Sequence, residues 1–176
     1  MLVILIVSQT APQRTAGKVE VSGHRGCRAI LPENTIPGFL KAIDTGVDVI
    51  EMDTIISQDN LVVVSHDPWL NPEICTGPNG ENITSIEEAM EKYDLYHMPY
   101  SQISACNCGH LHPKFPMQTP FPISKPLLSD VIDSVERYIQ TNNKRRVLYN
   151  IETKSKPERD GKFNPPIQKV RSNTFH

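Results

Sequence analysis

Residues 47–56 constrain the fold more than any other stretch of this chain. Read as a strand, Val47, Val49, Glu51, Asp53 and Ile55 fall on one face, and Ile50, Met52, Thr54 and Ile56 on the other. Apolar side chains on both faces describe a strand covered from both sides, as in an α/β sheet or barrel. Two carboxylates two residues apart then point the same way. A solvent-facing pair on an edge strand is the plainer alternative, but Val47, Val49 and Ile55 share that face. Carboxylates forced together among apolar neighbours repel and lose hydration, which a divalent cation relieves. Ligation by oxygen alone favours a hard ion, Mg²⁺ or Ca²⁺.

The flanking segments supply the partners such a strand needs. Residues 19–23 alternate as a short strand ending at Gly23. Asn34 or Thr35 caps a helix whose apolar positions are Ile36, Phe39, Leu40 and Ile43, with Gly46 at its C′ position. Gln58-Asp59-Asn60 is a turn, and Leu61 to Val64 returns as a hairpin strand. Helical periodicity resumes at Leu128, Val131, Ile132, Val135, Tyr138 and Ile139. The basic patch Lys144, Arg145 and Arg146 then leads into a strand over 147–153. The order β-α-β, inserted segment, α-β predicts parallel pairing and an α/β fold.

The inserted segment, 68–126, holds nine of the 15 prolines and three of the four cysteines. Its one short helical pattern has Ser85 and Glu88 as a capping box, followed by Ile86, Ala89, Met90 and Tyr93. It reads as an insertion or lid with stiff loops.

Reactive side chains gather at the strand ends, where α/β sheets and barrels place their sites. His24-Arg25-Gly26 follows the first strand and His66-Asp67 follows the hairpin. Leu148, Asn150, Glu152 and Lys154 share one face of the last strand. Glu152 is a third candidate ligand, although a surface Glu–Lys pair is the commoner meaning of that spacing. His24 and His66 are the natural acid and base, since imidazole titrates near neutral pH. Arg25 can grip a phosphate bidentately, and Lys154 can offer it a point charge. His97, His110, His112 and His176 read as structural or incidental.

The length of 176 residues suits one domain with a hydrophobic core. A formal net charge of -2 argues against nucleic acid as a partner. The apolar run Leu2 to Val7 is too short to span a bilayer, which excludes stable membrane insertion through it. It reads as a clipped signal segment or an added strand, with an exported or periplasmic location slightly favoured over a cytoplasmic one. The cysteines are either buried or free thiols, or a disulfide ties the loop around Cys75 to the loop around Cys106.

In order and spacing, Gly23-His24-Arg25-Gly26, Pro32-Glu33-Asn34-Thr35, Ile50-Glu51-Met52-Asp53 and Val64-Ser65-His66-Asp67-Pro68 resemble the signature of the glycerophosphodiester phosphodiesterases. Ile151-Glu152-Thr153-Lys154 is similar to the segment that follows it in that family. The resemblance implies an α/β fold: part of a (β/α)₈ barrel of the phospholipase-C-like type, with 68–126 as a small proline-rich subdomain over the barrel mouth. It also implies His24 and His66 as acid and base, Glu51, Asp53 and Glu152 as ligands of one Mg²⁺ or Ca²⁺, and Arg25 and Lys154 on the phosphate. Asn34 is expected as a helix cap and Glu33 as support. The expected substrate is a small glycerophosphodiester, hydrolysed to glycerol 3-phosphate and an alcohol. A related phospholipase-type phosphodiesterase and an inactive fragment that only binds are the alternatives.

The resemblance runs from about residue 20 to residue 164, which sets a domain at 19–164 and leaves 1–18 as an extension and 165–176 as a divergent or truncated tail. A whole barrel takes about 250 residues, so an open sheet edge that invites self-association is expected.

Overall fold

The computed structural model describes residues 19–154, so the extension 1–18, the end of the 19–164 domain and the tail 165–176 with His176 lie outside the described residues. Strand β2 (Val49–Ile56) is the centre of the sheet, and all of its residues are buried. It pairs in parallel with β1 (Ser22–Gly23) and β4 (Leu148–Thr153), and antiparallel with β3 (Val62–Val64). Val49 pairs with both Ser22 and Leu148, and Thr54 with both Val64 and Thr153. A strand has two edges, so β1 and β3 share one edge of β2 and β4 takes the other. Along the shared edge β1 and β3 run towards each other and stop on either side of Glu51–Asp53.

The expected strand at 47–56 begins two residues late. Val47 is still closing helix α1 (Ile36–Asp44): its amide donates to the Ala42 carbonyl, and Gly46 supplies the positive φ of +86° at C′. Asp48 then accepts from the Val21 amide at 3.0 Å and pairs with Arg145 at 2.7 Å. The first strand is shorter than its alternating pattern, with Val19 and Val21 left exposed.

Thr35, not Asn34, caps α1: its Oγ1 accepts from the Gly38 amide at 3.2 Å. Phe39, Ala42 and Ile43 of α1 join Leu128, Val131, Val135 and Ile139 of α4 (Leu128–Thr141) against Ile50, Met52, Ile56, Val62 and Val64 of the sheet. Burying one such aliphatic side chain is worth about 1.5–3 kcal/mol, so this layer is a principal source of stability.

The other face of β2 and β3 carries a second core. Ile55 and Val63 pack there against Leu70, Ile74, Leu95 and Ile103 of the 68–126 segment. That segment contains α2 (Ile86–Lys92), a 3₁₀ turn (Leu95–His97) and α3 (Tyr100–Ile103). The alternation of β2 thus sends its even residues to the helices, while its odd residues share a face with this segment. Glu51 and Asp53 are among the odd ones.

The capping box forms by half. Ser85 accepts from the Glu88 amide at 3.1 Å, but Glu88 Oε2 turns to the Thr84 amide at 2.9 Å and hydroxyl at 2.6 Å. Cys75 is disulfide-bonded to Cys108, so the bridge joins the two expected loops through the second of the neighbouring cysteines. Cys106 and Cys27 are free. His112 is buried and His110 exposed, each in its own set of contacts, so the two do not act as a pair.

Candidate active site

Strand register assembles the site. Gly23 pairs with Ile50, which brings His24 beside Glu51, and Glu152 pairs directly with Asp53. Oxygens of Glu51, Asp53 and Glu152 lie within 4.8 Å of one another, and His24 Nε2 is 3.9 Å from Glu51 Oε2. Glu51 and Asp53 are buried, while Glu152 is half-buried. Burial raises the Glu51 carboxyl above its ordinary range, and the charges of Asp53 and Glu152 add to this. The Arg25 amide, donating to Glu51 Oε2 at 2.7 Å, acts in the opposite direction.

The loop after β1 is shaped to this task. Arg25 adopts a left-handed φ of +52°, locked by its amide on Glu51 and by its carbonyl, which accepts from the Asn34 amide at 3.0 Å. Gly26 has φ +79°, and a Cβ there would meet the backbone of Gly38 at 2.8 Å, so glycine lets the loop lie against the start of α1. Arg25 Nη1 donates to Glu33 Oε1 at 2.9 Å, and its Nε lies 3.4 Å from Asp53 Oδ2. Arg28 pairs with Glu33 Oε2 at 2.8 Å and lies over the Phe115 ring at 4.5 Å. Glu33 therefore does support the site, by holding two guanidinium groups.

Lys154 closes the opposite side, 3.2 Å from Asp53 Oδ1 and 2.8 Å from Glu152 Oε1. Both cations expected on a phosphate are thus in contact with the carboxylate cluster itself. Among the described residues, Arg25 Nε has no hydrogen-bond partner, which leaves a buried donor aimed at the cluster.

His66 arrives from the other direction. The Ser65 amide donates to the Asp53 carbonyl at 3.0 Å, so His66 follows directly on the residue beside Asp53. Its Nδ1 meets Asp67 Oδ1 at 3.0 Å, while Asn71 donates to Asp67 Oδ2 at 3.0 Å. Six of the seven residues expected at the site touch one another through ion pairs, hydrogen bonds or the carboxylate cluster. The seventh, His66, is in contact with Asp67 instead. His24 is the most open of the set, with its side chain 60% exposed. Burial of the remainder, then Arg25 and Arg28, lowers its pKa.

Two contributors were not legible in the sequence as site residues. Asn34 was expected as a cap, and a φ of +55° turns it instead onto Asp53. Arg28 stands four residues after His24, a spacing that signals nothing in a loop, yet its Nη1 is 3.4 Å from His24 Nδ1.

Comparisons with known proteins identify the relatives of this chain. The model of the glycerophosphoryl diester phosphodiesterase family matches residues 24–173. The uncharacterized protein YqiK of Bacillus subtilis (strain 168) is 29% identical over 136 residues, covering 77% of this chain and 45% of YqiK. A crystal structure from Silicibacter pomeroyi DSS-3, assigned to the glycerophosphoryl diester phosphodiesterases, superposes with a TM-score of 0.74 at 26% identity, covering 90% of this chain and 53% of that one. A phosphodiesterase of Oleispira antarctica, solved with the product sn-glycerol-3-phosphate, shares the fold with a TM-score of 0.58 at 19% identity, again covering 90% and 53%. The chain spans about half the length of the relatives it matches, and its sheet and helices are part of a (β/α)₈ barrel. With most of its length, residues 24–173, matched by the family model, this chain belongs to the glycerophosphoryl diester phosphodiesterase family.

Proposed function

We propose that the protein hydrolyses glycerophosphodiesters to glycerol 3-phosphate and an alcohol. The observation that carries this reading is the set of three carboxylate oxygens within 4.8 Å of one another, bordered by the two converging strand ends that His24 and His66 follow. An all-oxygen donor set, with Glu51 pushed towards protonation by burial and by its neighbours, fits a hard divalent cation, Mg²⁺ or Ca²⁺, held by Glu51, Asp53 and Glu152. Bound there, the ion would neutralise charge that develops on the phosphoryl oxygens.

The remaining chemistry belongs to the chain. Asp67 only accepts, so neutral His66 carries its proton on Nδ1 and offers the Nε2 lone pair to a nucleophile's proton. Arg28 only donates, so Nδ1 of neutral His24 is the acceptor and Nε2 carries the proton, facing Glu51. Once it has taken a second proton beside Glu51, the His24 imidazolium protonates the departing alcohol as the alcohol–phosphorus bond breaks and returns to the neutral form. The nucleophile is water or the glycerol hydroxyl of the substrate. With a cation on the carboxylates, Arg25 and Lys154 would be the groups available to phosphoryl oxygens. An oxidising compartment goes with this reading, supported by the Cys75–Cys108 bond.

The test is release of glycerol 3-phosphate from glycerophosphocholine by this chain, with EDTA and His66→Ala as controls. Release that needs the metal and His66 supports the reading. Cleavage confined to intact phospholipids, or activity indifferent to both controls, overturns it.

A further inference from the structure

Lys125 has a place in the sheet that none of the functional motifs records. The stretch Lys125-Pro126-Leu127 runs antiparallel beside β3: Leu127 bridges Val63, and the Val64 amide donates to the Pro126 carbonyl at 2.8 Å. The next pair in that ladder is Ser65 beside Lys125. Ser65 lies beside Asp53 through its amide, and Asp53 pairs with Glu152. Glu152, Asp53, Ser65 and Lys125 therefore form one row across four adjacent segments. Two residues along, Ile55, Val63 and Leu127 form the parallel row and pack together against the 68–126 segment. Strand alternation returns the Lys125 row to that same face, which is the face of the carboxylate cluster. Segments lie about 4.8 Å apart, so an extended lysine crosses the small Ser65 into the site.

The charge of Lys125 is left unanswered there. The side chain is 8% exposed, and no carboxylate of the described residues comes within 4.0 Å of its ammonium. It feels Asp67, Glu33 and Asp53 at longer range. Each of these is already occupied: Asp67 by His66 and Asn71, Glu33 by Arg25 and Arg28, and Asp53 by Asn34, Arg25 and Lys154. A lysine held in a largely buried place with no carboxylate in contact is costly, and an oxyanion of a ligand would meet its charge.

We propose that Lys125 is a phosphate-binding residue carried into the site by the 68–126 segment, its ammonium contacting a non-bridging oxygen of the phosphodiester and of the phosphomonoester product. The position of that phosphate rests on the function proposed above. Burial lowers the lysine pKa, and a bound oxyanion restores it.

Isothermal titration of the full chain with glycerol 3-phosphate and with inorganic phosphate, each in the presence of Mg²⁺, tests this directly. Lys125→Met is expected to weaken both by roughly 10- to 100-fold, the worth of one charge-assisted hydrogen bond, with Mg²⁺ affinity unchanged. Lys125→Arg is expected to retain most of the binding. Wild-type affinity in Lys125→Met, or a lower melting temperature with phosphate affinity intact, overturns the assignment, as does a wild-type chain that binds neither anion. If Lys125→Met does not fold, ¹³C-lysine-labelled wild type carries the test. Its Lys125 methylene signal, identified by its loss in Lys125→Arg, must shift on phosphate addition, and an unmoved signal overturns the proposal. Phosphate binding that depends on Lys125 without any hydrolysis refutes the proposed activity alone. Hydrolysis and binding that are both indifferent to Lys125 refute this inference alone.

Discussion

Asn34 clamps Asp53 from two sides: its Nδ2 donates to Asp53 Oδ2 at 3.0 Å, and its Oδ1 faces the Asp53 amide at 3.4 Å. Both residues are buried, and Asn34 holds a left-handed backbone that asparagine tolerates better than most residues. The clamp fixes the least accessible member of the carboxylate cluster. Asn34→Gly keeps the backbone conformation and removes the clamp, and a loss of about 1–3 kcal/mol in urea unfolding is expected. Asn34→Ala adds backbone strain and should be worse. Equal stability of Asn34→Ala and wild type would show that the clamp contributes nothing.

The cluster should make stability depend on both pH and metal. Burial raises the folded-state Glu51 carboxyl above 4.5. The sign follows: its contribution is fully present below the ordinary value and is lost as pH rises through the raised one. In EDTA the melting temperature should therefore fall across that interval, and Glu51→Gln should flatten the fall. Added Mg²⁺ or Ca²⁺ reverses the effect by mass action, by about 2.7 kcal/mol at a hundredfold excess over its dissociation constant. Glu152→Gln should weaken this metal-dependent gain, as scanning calorimetry would show.

Asp67 holds the proton of His66 on Nδ1. Asp67→Asn offers an amide where the carboxylate stood and favours the other tautomer. Under the proposed hydrolysis, kcat should fall on the order of 10²- to 10⁴-fold with little change in KM. A fall in affinity alone would place Asp67 in binding instead.

The Glu88 carboxyl is held down to about 2 by the Thr84 hydroxyl and amide, then by Lys92. A depressed carboxylate contributes above its ordinary 4.5 and loses that contribution as pH falls through about 2. The first turn of α2 should loosen over that interval. Amide exchange at Thr84 reports it, and Thr84→Val should move the Glu88 midpoint upward in a carbon-detected titration.

Reduction of Cys75–Cys108 opens a link of sequence separation 33, for which chain entropy predicts a loss of about 3–4 kcal/mol. Cys108→Ser should lose that amount in urea unfolding. It should leave the α1–α4 layer intact by near-ultraviolet dichroism and Tyr138 fluorescence, because that layer packs on the opposite face of the sheet.

The sequence by itself determined what is local and periodic. Alternation through 49–56 put Glu51 and Asp53 on one face, and the spacing of Ile36, Phe39 and Ile43 made α1. The turn at Gln58–Asn60 returned β3 onto β2, and Glu152 was legible as a third member of the carboxylate cluster because its strand repeats the pattern. Periodicity says which face a residue takes, but not which distant segment lies beside it. Tertiary structure alone decided that β1 and β3 meet head-on along one edge of β2, and that Lys125, 72 residues after Asp53 in sequence, joins its row. It also decided that Cys108 rather than Cys106 bridges Cys75. Asn34 became a clamp for a similar reason: a positive φ, imposed by the loop that Arg25 and Glu51 hold, turned its side chain from the helix start to Asp53. Such contacts depend on chain closure over tens of residues, and the register of the closed chain settles them.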